Sequence, residues 1–394
     1  MEKDLQSLQE RMDALKKSDV ESENVLVEQK SNEVTQKKIV QAENTSQKEV
    51  RSRYKAEGET AEKPSGPVGL DIGTSNIIVA QNERKYIKST KQLNAFFTIP
   101  HSKFAESILV KNNVFFFAQD GLFYIVGYSS ENFAHMFDTD TRRTIKKGII
   151  CADEKEGYTV IQSIIMSLIE KPRVLGESLC FGVPGEPIDG TGSVTYHESV
   201  MKMFLRKLGY SPSSVNEGMA VVLSELGDDD YTGIGISIGG GMCNICFSYL
   251  SFPVITYSIQ VAGDYIDSSV GEAVGVPATR VKAIKEEALS LLAAPGDRIL
   301  TALQIFYDEL INQLLDSMER VFVTANQIPM ISKPIPIVLS GGSVMVDGFR
   351  EKFEEALTLI KLPFEISSVH IAEDPLNTTA KGALIMAMTE EDSD

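Results

Sequence analysis

Beyond residue 67 the chain alternates short, nearly continuous apolar runs with longer stretches in which apolar residues recur every three or four positions. The first kind has the length and β-branched content of buried strands, and the second has the period of amphipathic helices. Strands are predicted at 68–72, 76–80, 108–117, 122–127, 179–183, 233–238, 243–249, 254–259 and 335–340. Helices are predicted at 159–170, 197–208, 217–226, 264–274, 279–292, 298–325, 347–358 and 376–388. The interleaving predicts the α/β class. No short tandem repeat is present. One arrangement nevertheless occurs twice: a strand, a turn of small residues with a polar tip, and a second strand, at 68–80 (VGLDIGTSNIIVA) and at 233–249 (GIGISIGGGMCNICFSY). This is the imprint of a duplicated lobe.

Residues 1–63 have a different texture, with dense charges of both signs, many glutamines and serines, and neither phenylalanine nor proline. Leu5, Leu8, Met12 and Leu15 follow a 3-4-3 spacing, a heptad seam that falters at Asp19. Two readings stand. Residues 1–56 form a polar helix whose first turns can pair with a coiled-coil partner, or they form a disordered or fraying tail. Residues 57–67 (EGETAEKPSGP) are a linker by composition.

Totals narrow the classes. The chain has 394 residues, 43% of them hydrophobic, enough for two or three domains or one two-lobed body. Lysine and arginine number 38 against 55 aspartates and glutamates, a net charge of −17. Such a chain is a poor non-specific ligand for nucleic acid or an anionic membrane, and neither is expected as a partner. No apolar run reaches transmembrane length, and the polar start MEKDLQSLQERMDALKKSD is unlike a secretory signal. Four cysteines are too few for a disulfide framework, which fits a reducing cytoplasm. Cys243 and Cys246 form C-N-I-C, a spacing that also serves metal or redox pairs. Their apolar strand setting, with no second pair and no nearby histidine, favours buried structural thiols.

The two recurrent turns carry the chemistry. In LDIGTSN, Gly73 permits a tight turn, and Thr74, Ser75 and Asn76 present donors suited to a phosphate. Asp71 beside them is a hard oxygen ligand suited to Mg²⁺ through water. In the second turn Gly239, Gly240 and Gly241 let a backbone close on a phosphate from the opposite side. A third element, PIVLSGGSVMVDGF (336–349), runs a buried strand into Gly341 and Gly342 and then a helix, allowing close approach of a base or ribose.

In this order the motifs resemble the actin superfamily, which also holds the heat-shock chaperone ATPases and the sugar kinases. LDIGTSN resembles the first phosphate motif, NEGMAVVLSE (216–225) the first connecting helix, and ISIGGGMCN the second phosphate motif. IVLSGGSVMVDGF resembles the adenosine motif and EDPLNTTAKGALIMA (373–387) the second connecting helix. Within the superfamily the pattern is most similar to bacterial actins of the MreB and MamK kind, through KKGIICA (146–152), CFGVPG (180–185), QVAGDYIDSSV (260–270) and TRVKAIKEEA (279–288). The resemblance spans about Val68 to Met388 and leaves no room for a chaperone's peptide-binding domain.

What this resemblance implies is specific. The fold would be actin-like, with two lobes, each on a mixed β-sheet flanked by helices, and a nucleotide cleft between them. The first lobe would span 68–215 with a small subdomain near 85–145, and the second 216–375. Residues 376–394 would form a connecting helix back to the first lobe and an acidic tail. ATP or ADP with Mg²⁺ would bind in the cleft. Asp71 would hold the water shell of Mg²⁺. Gly73, Thr74, Ser75 and Asn76 would line the β- and γ-phosphates, and Gly239 to Gly241 would grip from the other lobe. Glu217 would orient the attacking water; the alternative is a carboxylate serving only the helix dipole. Lys285 and Glu286 would sit near ribose and adenine, or else be solvated helix charges. Gly341, Gly342 and Ser343 would border the nucleoside. The principal partner would be the chain itself, in a cytoskeletal filament.

Two departures matter. The family usually places aspartate two residues before the glycine triplet, where this chain has Ser237. Losing that carboxylate implies slower hydrolysis or looser metal binding. The long amino-terminal segment is the second departure. The segment between the helix near 159–170 and the strand near 179–183, where MreB-like proteins carry a membrane-inserting loop, is short and bears Glu170, Lys171 and Arg173, so direct membrane insertion is not expected. The aromatic stretch 113–127 is expected to form a core hairpin. Three readings follow: a filament-forming ATPase for cell shape or for positioning an organelle such as the magnetosome, a weakly hydrolysing scaffold acting through its amino-terminal helix, and a monomeric chaperone-like or kinase-like ATPase.

Overall fold

The computed structural model describes residues 66–391, apart from 84–85, 135, 137–140, 152, 189–192, 326–327 and 332. The predicted coiled coil lies outside the described residues. The first hairpin joins β1 (Val68–Ile72) to β2 (Asn76–Glu83), and β3 (Tyr86–Leu93) continues the antiparallel meander. Next come β4 (Phe96–Pro100), α1 (Lys103–Lys111), β5 (Phe116–Gln119), β6 (Leu122–Val126) and α2 (Tyr128–Ala134). The short hairpin of β7 (Ile145–Lys146) and β8 (Ile149–Ile150) precedes α3 (Gly157–Leu168), β9 (Glu177–Val183), α4 (Val194–Lys207) and β10 (Tyr210–Asn216).

The second half repeats the plan. After α5 (Glu217–Glu225), β11 (Gly233–Ile238), β12 (Cys243–Tyr249) and β13 (Phe252–Ile259) form another antiparallel meander. Helices α6 (Gly263–Val274), α7 (Ala278–Ala288) and α8 (Arg298–Thr324) lead to β14 (Ile335–Ser340). The chain closes with α9 (Phe349–Leu357), β15 (Ile366–Ile371) and α10 (Thr378–Glu391).

The two five-stranded sheets have orders β10-β9-β1-β2-β3 and β13-β12-β11-β14-β15. In each, a three-stranded meander carries two parallel strands on the free side of its first strand. Parallel neighbours need a crossover, which α3, α4 and α8 help to supply. The repeated plan bears out the duplicated lobe, and two mixed sheets flanked by helices make the actin-like α/β fold that the motif resemblance implies.

Residues Thr98–Ile125 form one compact unit, and the rest of the described chain another. In the smaller unit the predicted strand 108–117 is overturned. Ser102 accepts from the Ala105 amide at 3.1 Å and starts α1, whose inner face is Ala105 and Leu109. The apolar run 108–110 is thus the end of an amphipathic helix, and extended structure begins at Phe116. The aromatic stretch does form a hairpin, β5–β6, with Phe117 stacked on Tyr124 at 4.7 Å.

In the larger unit, α8 buries Leu303, Tyr307, Leu310, Leu314, Met318 and Phe322 in the core that also holds Ile234, Ile236 and Phe247 of the second sheet. Helices α5 and α10 cross in close contact: a Cβ added at Gly382 would strike the Ala220 carbonyl oxygen. Cys243 and Cys246 are buried thiols outside any disulfide. Three positions apart on a strand they point to opposite faces. Cys243 donates to the Val261 carbonyl at 2.9 Å while Cys246 meets Met219, so they cannot share an ion. Among the described residues no helix is long and apolar enough to cross a membrane.

Candidate functional site

The β1–β2 turn is closed by the Gly73 amide donating to the Asn76 carbonyl at 2.9 Å. The buried Asn94 amide group donates to the Gly73 carbonyl at 3.0 Å and accepts from the Thr144 hydroxyl at 2.5 Å, which fixes the turn from behind. The β11–β12 turn is closed likewise, by the Gly239 amide on the Met242 carbonyl at 3.1 Å. Two of its other carbonyls are occupied from the other side. Gly239 accepts from the Gly263 amide and the Ser343 hydroxyl, and Gly240 accepts from the Asp264 amide at 2.7 Å.

These two turns face each other. A side chain at Gly241 would collide with the Thr74 hydroxyl and the Gly148 backbone, and one at Gly240 would meet the Ser75 hydroxyl. Glycine is required there because two backbones approach within side-chain distance. The tip of the β7–β8 hairpin completes the junction: the Gly148 amide donates to the Thr74 hydroxyl at 3.1 Å. From the same segment Arg143 reaches Asp264, at the start of α6, with 2.6 Å between guanidinium and carboxylate.

Beside the turns lies a cavity of about 700 Å³, a size typical of small-molecule sites. Every residue singled out from the sequence lines it: Asp71, Gly73 to Asn76, Glu217, Gly239 to Gly241, Lys285, Glu286, and Gly341 to Ser343. The third glycine element is shaped by Gly341. Its φ is 97°, and a Cβ there would strike the backbone of Ile238. Its amide and the Ser340 hydroxyl both donate to the Pro375 carbonyl, tying the strand end to the start of α10.

Two carboxyls meet at the end of the cavity that carries the β1–β2 turn. Burial holds Asp71 above the usual carboxylate range, and burial together with the neighbouring Asp71 charge does the same to Glu217. Glu217 opens α5, whose cap is Asn216, accepting from the Met219 amide. Its carboxylate accepts from Asn244 at 2.7 Å, and the Ser237 side chain nearby favours its charged form. Asn244 is the cross-strand partner of Ser237, and its own carbonyl accepts from the Gly185 amide. Ser237 therefore places a neutral hydroxyl near Glu217, where an aspartate would add a third negative charge.

Asp71 and Glu217 suit a hard divalent cation, being oxygen donors whose mutual repulsion a cation would relieve. Among the described residues no group of three or more His, Cys, Asp and Glu can cage an ion alone. Such a cation would take further ligands from phosphate oxygens or water.

At the other end, Lys285 is buried and paired to buried Asp267 at 2.7 Å. It is therefore not a solvated helix charge; it is a fixed cation in the cavity wall. Glu286 lines the cavity nearby and lies 3.9 Å from Lys282. Sequence reasoning missed several wall residues, including Lys91, Tyr128, Asn244 and Tyr307. Asn244 had a signal, its position in the antiparallel register opposite Ser237. Tyr307 had none, because its spacing in α8 reads as core.

Comparison with solved structures finds the same fold at low identity. A MamK double helical filament matches with a TM-score of 0.62 at 18% identity, covering 82% of this chain and 98% of that one. MreB5 of Spiroplasma citri bound to ADP matches with a TM-score of 0.60 at 15% identity, covering 84% and 98%. The same protein bound to AMPPNP matches with a TM-score of 0.60 at 14% identity over equal shares. None of the curated proteins compared matches the chain. A family model, volactin, matches residues 67–387, and with the actin-like topology and the paired glycine turns already established, the chain belongs to the volactin family.

Proposed function

We propose that the chain binds ATP with Mg²⁺ between its two sheets and polymerises head to tail into cytoskeletal filaments. The observation that carries this reading is the opposition of the two turns, Gly73–Asn76 and Gly239–Gly241, at one end of a cavity whose other end offers glycine-lined space for a nucleoside. A MamK relative of the same fold is a filament, and MreB5 holds ADP or AMPPNP. Asp71 would hold Mg²⁺ through water, and Mg²⁺ when bound would neutralise charge on the terminal phosphates. Glu217, held by Asn244, would accept a proton from a water placed against the γ-phosphate. Lys285 and Glu286 would border the ribose and base, with Gly341 to Ser343 opposite. Nucleotide would bias the two sheets toward one relative orientation, and repeated heterologous contacts would then build an open filament. The lobes are read as 68–215 and 216–375, with 376–394 returning to the first.

The test is pelleting and electron microscopy of the full chain with Mg-ATP, Mg-ADP and no nucleotide. Filaments in ATP alone or in both nucleotides support the reading. Protein that stays monomeric at tens of micromolar in every state ends it.

A second reading, a scaffold that binds nucleotide but barely turns it over, is favoured by Ser237. Phosphate release before and after Ser237→Asp separates the two. A large gain identifies a slow enzyme lacking a carboxylate, and no gain identifies Glu217 as sufficient.

A further inference from the structure

Among the described residues the cavity wall holds three cations, and they differ in what they already do. Lys285 is committed to Asp267 at 2.7 Å, and Lys282 lies beside Glu286 at 3.9 Å. Lys91 is exposed, lines the cavity, and its ammonium makes no ion pair or hydrogen bond among the described residues. Its place in the sheet is defined by register. In the β2–β3 ladder Asn76 faces Leu93 and Ile78 faces Lys91. Side chains directly opposite one another share a face, as do alternate residues on one strand. All four residues line the cavity, as that alternation requires.

Reach follows from the same geometry. The diagonal from Lys91 to Asn76 spans about 7–8 Å between Cα atoms, and a lysine stem covers most of such a distance. Lys91 can therefore set its charge at the tip of the Gly73–Asn76 turn. Electrostatics calls for one there. The two turns offer neutral backbone and hydroxyl donors, and the nearby titratable wall residues Asp71, Glu217 and Glu131 are acidic. A triphosphate with one divalent cation keeps a net charge of about −2, which those carboxylates repel. Every other cavity-lining cation among the described residues lies beside a carboxylate.

We infer that Lys91 is the cationic ligand of the terminal phosphates. This rests on the proposed nucleotide site and adds to it a residue from the second cross-strand neighbour of the phosphate turn. Lys91 would contact phosphate oxygen directly and leave the nucleoside end untouched.

The test compares the full-length parent with Lys91→Met and Lys91→Arg, titrating ATP, ADP and AMP in Mg²⁺ by calorimetry. Lys91→Met is expected to weaken ATP and ADP by about 10- to 100-fold, the worth of one charge-assisted contact, with AMP changed less than about 2-fold. Lys91→Arg should retain most of the affinity. The inference fails if Lys91→Met binds ATP like the parent, or if it loses ATP and AMP by the same factor, which would mark a purely structural role. If the parent itself binds none of the three, the nucleotide reading falls and this one with it.

Discussion

At the scale of single residues, the pair Glu217 and Ser237 makes the sharpest demand. A water-orienting Glu217 can be neutralised without changing its shape, so Glu217→Gln should lower phosphate release by at least about 100-fold, within the usual range for general-base groups. ATP affinity should stay within a few fold. Equal loss of binding and turnover would instead leave Glu217 a carboxylate serving only the dipole of α5. His197 offers a test remote from the site. It is buried in α4, neither ring nitrogen has a partner among the described residues, and burial pushes its pKa down to about 4. The unfolded chain takes up a proton near pH 6.5 and the folded one does not. Stability is therefore full above that value, falls as pH drops through it, and stops falling near pH 4, a loss of about 3 kcal/mol. His197→Leu should flatten this part of the acid limb in urea unfolding at pH 7 and 4.5; an unchanged slope would mean the imidazole is charged when folded. What sequence revealed at this scale follows the physics of glycine and small polar turns. Asp71, Thr74 and Gly239 stand out because apolar strands flank them. Lys285 stood out only by resemblance, since its partner Asp267 lies eighteen positions earlier in chain and on another helix. Lys91 was invisible, because one lysine in YIKSTKQL looks like any exposed edge charge.

At the scale of elements, the crossing of α5 and α10 sets two rules against each other. Helix propensity predicts that Gly382→Ala stabilises by up to about 1 kcal/mol. Packing predicts the reverse, because the new methyl meets the Ala220 carbonyl, a backbone atom in the buried Gly218–Val222 stretch of α5. Overpacking of this kind costs about 1–3 kcal/mol, so loss should win, read as a lower urea midpoint. A raised midpoint would show that the two helices can part. Elements were legible where burial is two-sided. Strands β1, β11, β12 and β14 are apolar almost throughout and were found nearly to the residue. Strands β3, β10 and β15 each lie at a sheet edge, where polar residues and the Pro212 of β10 are tolerated, so no apolar run announced them. Helix α1 reads as a strand because its last apolar turn runs into the aromatic hairpin, and only the Ser102 cap marks its start.

At the scale of the molecule, charge constrains assembly. A chain of net charge −17 repels its own copies, and the repulsion acts over about 10 Å at 0.1 M salt but only about 3 Å at 1 M. Head-to-tail contacts that bury apolar surface gain from this screening, whereas contacts held by ion pairs lose. The exposed Leu175, Phe252, Met330 and Leu359 show that apolar surface is available in the larger unit. The critical concentration for pelleting in saturating Mg-ATP should therefore fall several fold as KCl rises from about 0.1 to about 0.5 M. Saturation matters, because phosphate binding through Lys91 would weaken over the same range and oppose the trend. A critical concentration that instead climbs with salt would mean that subunit contacts are dominated by opposite charges, and that the acidic excess is segregated away from the surfaces that meet.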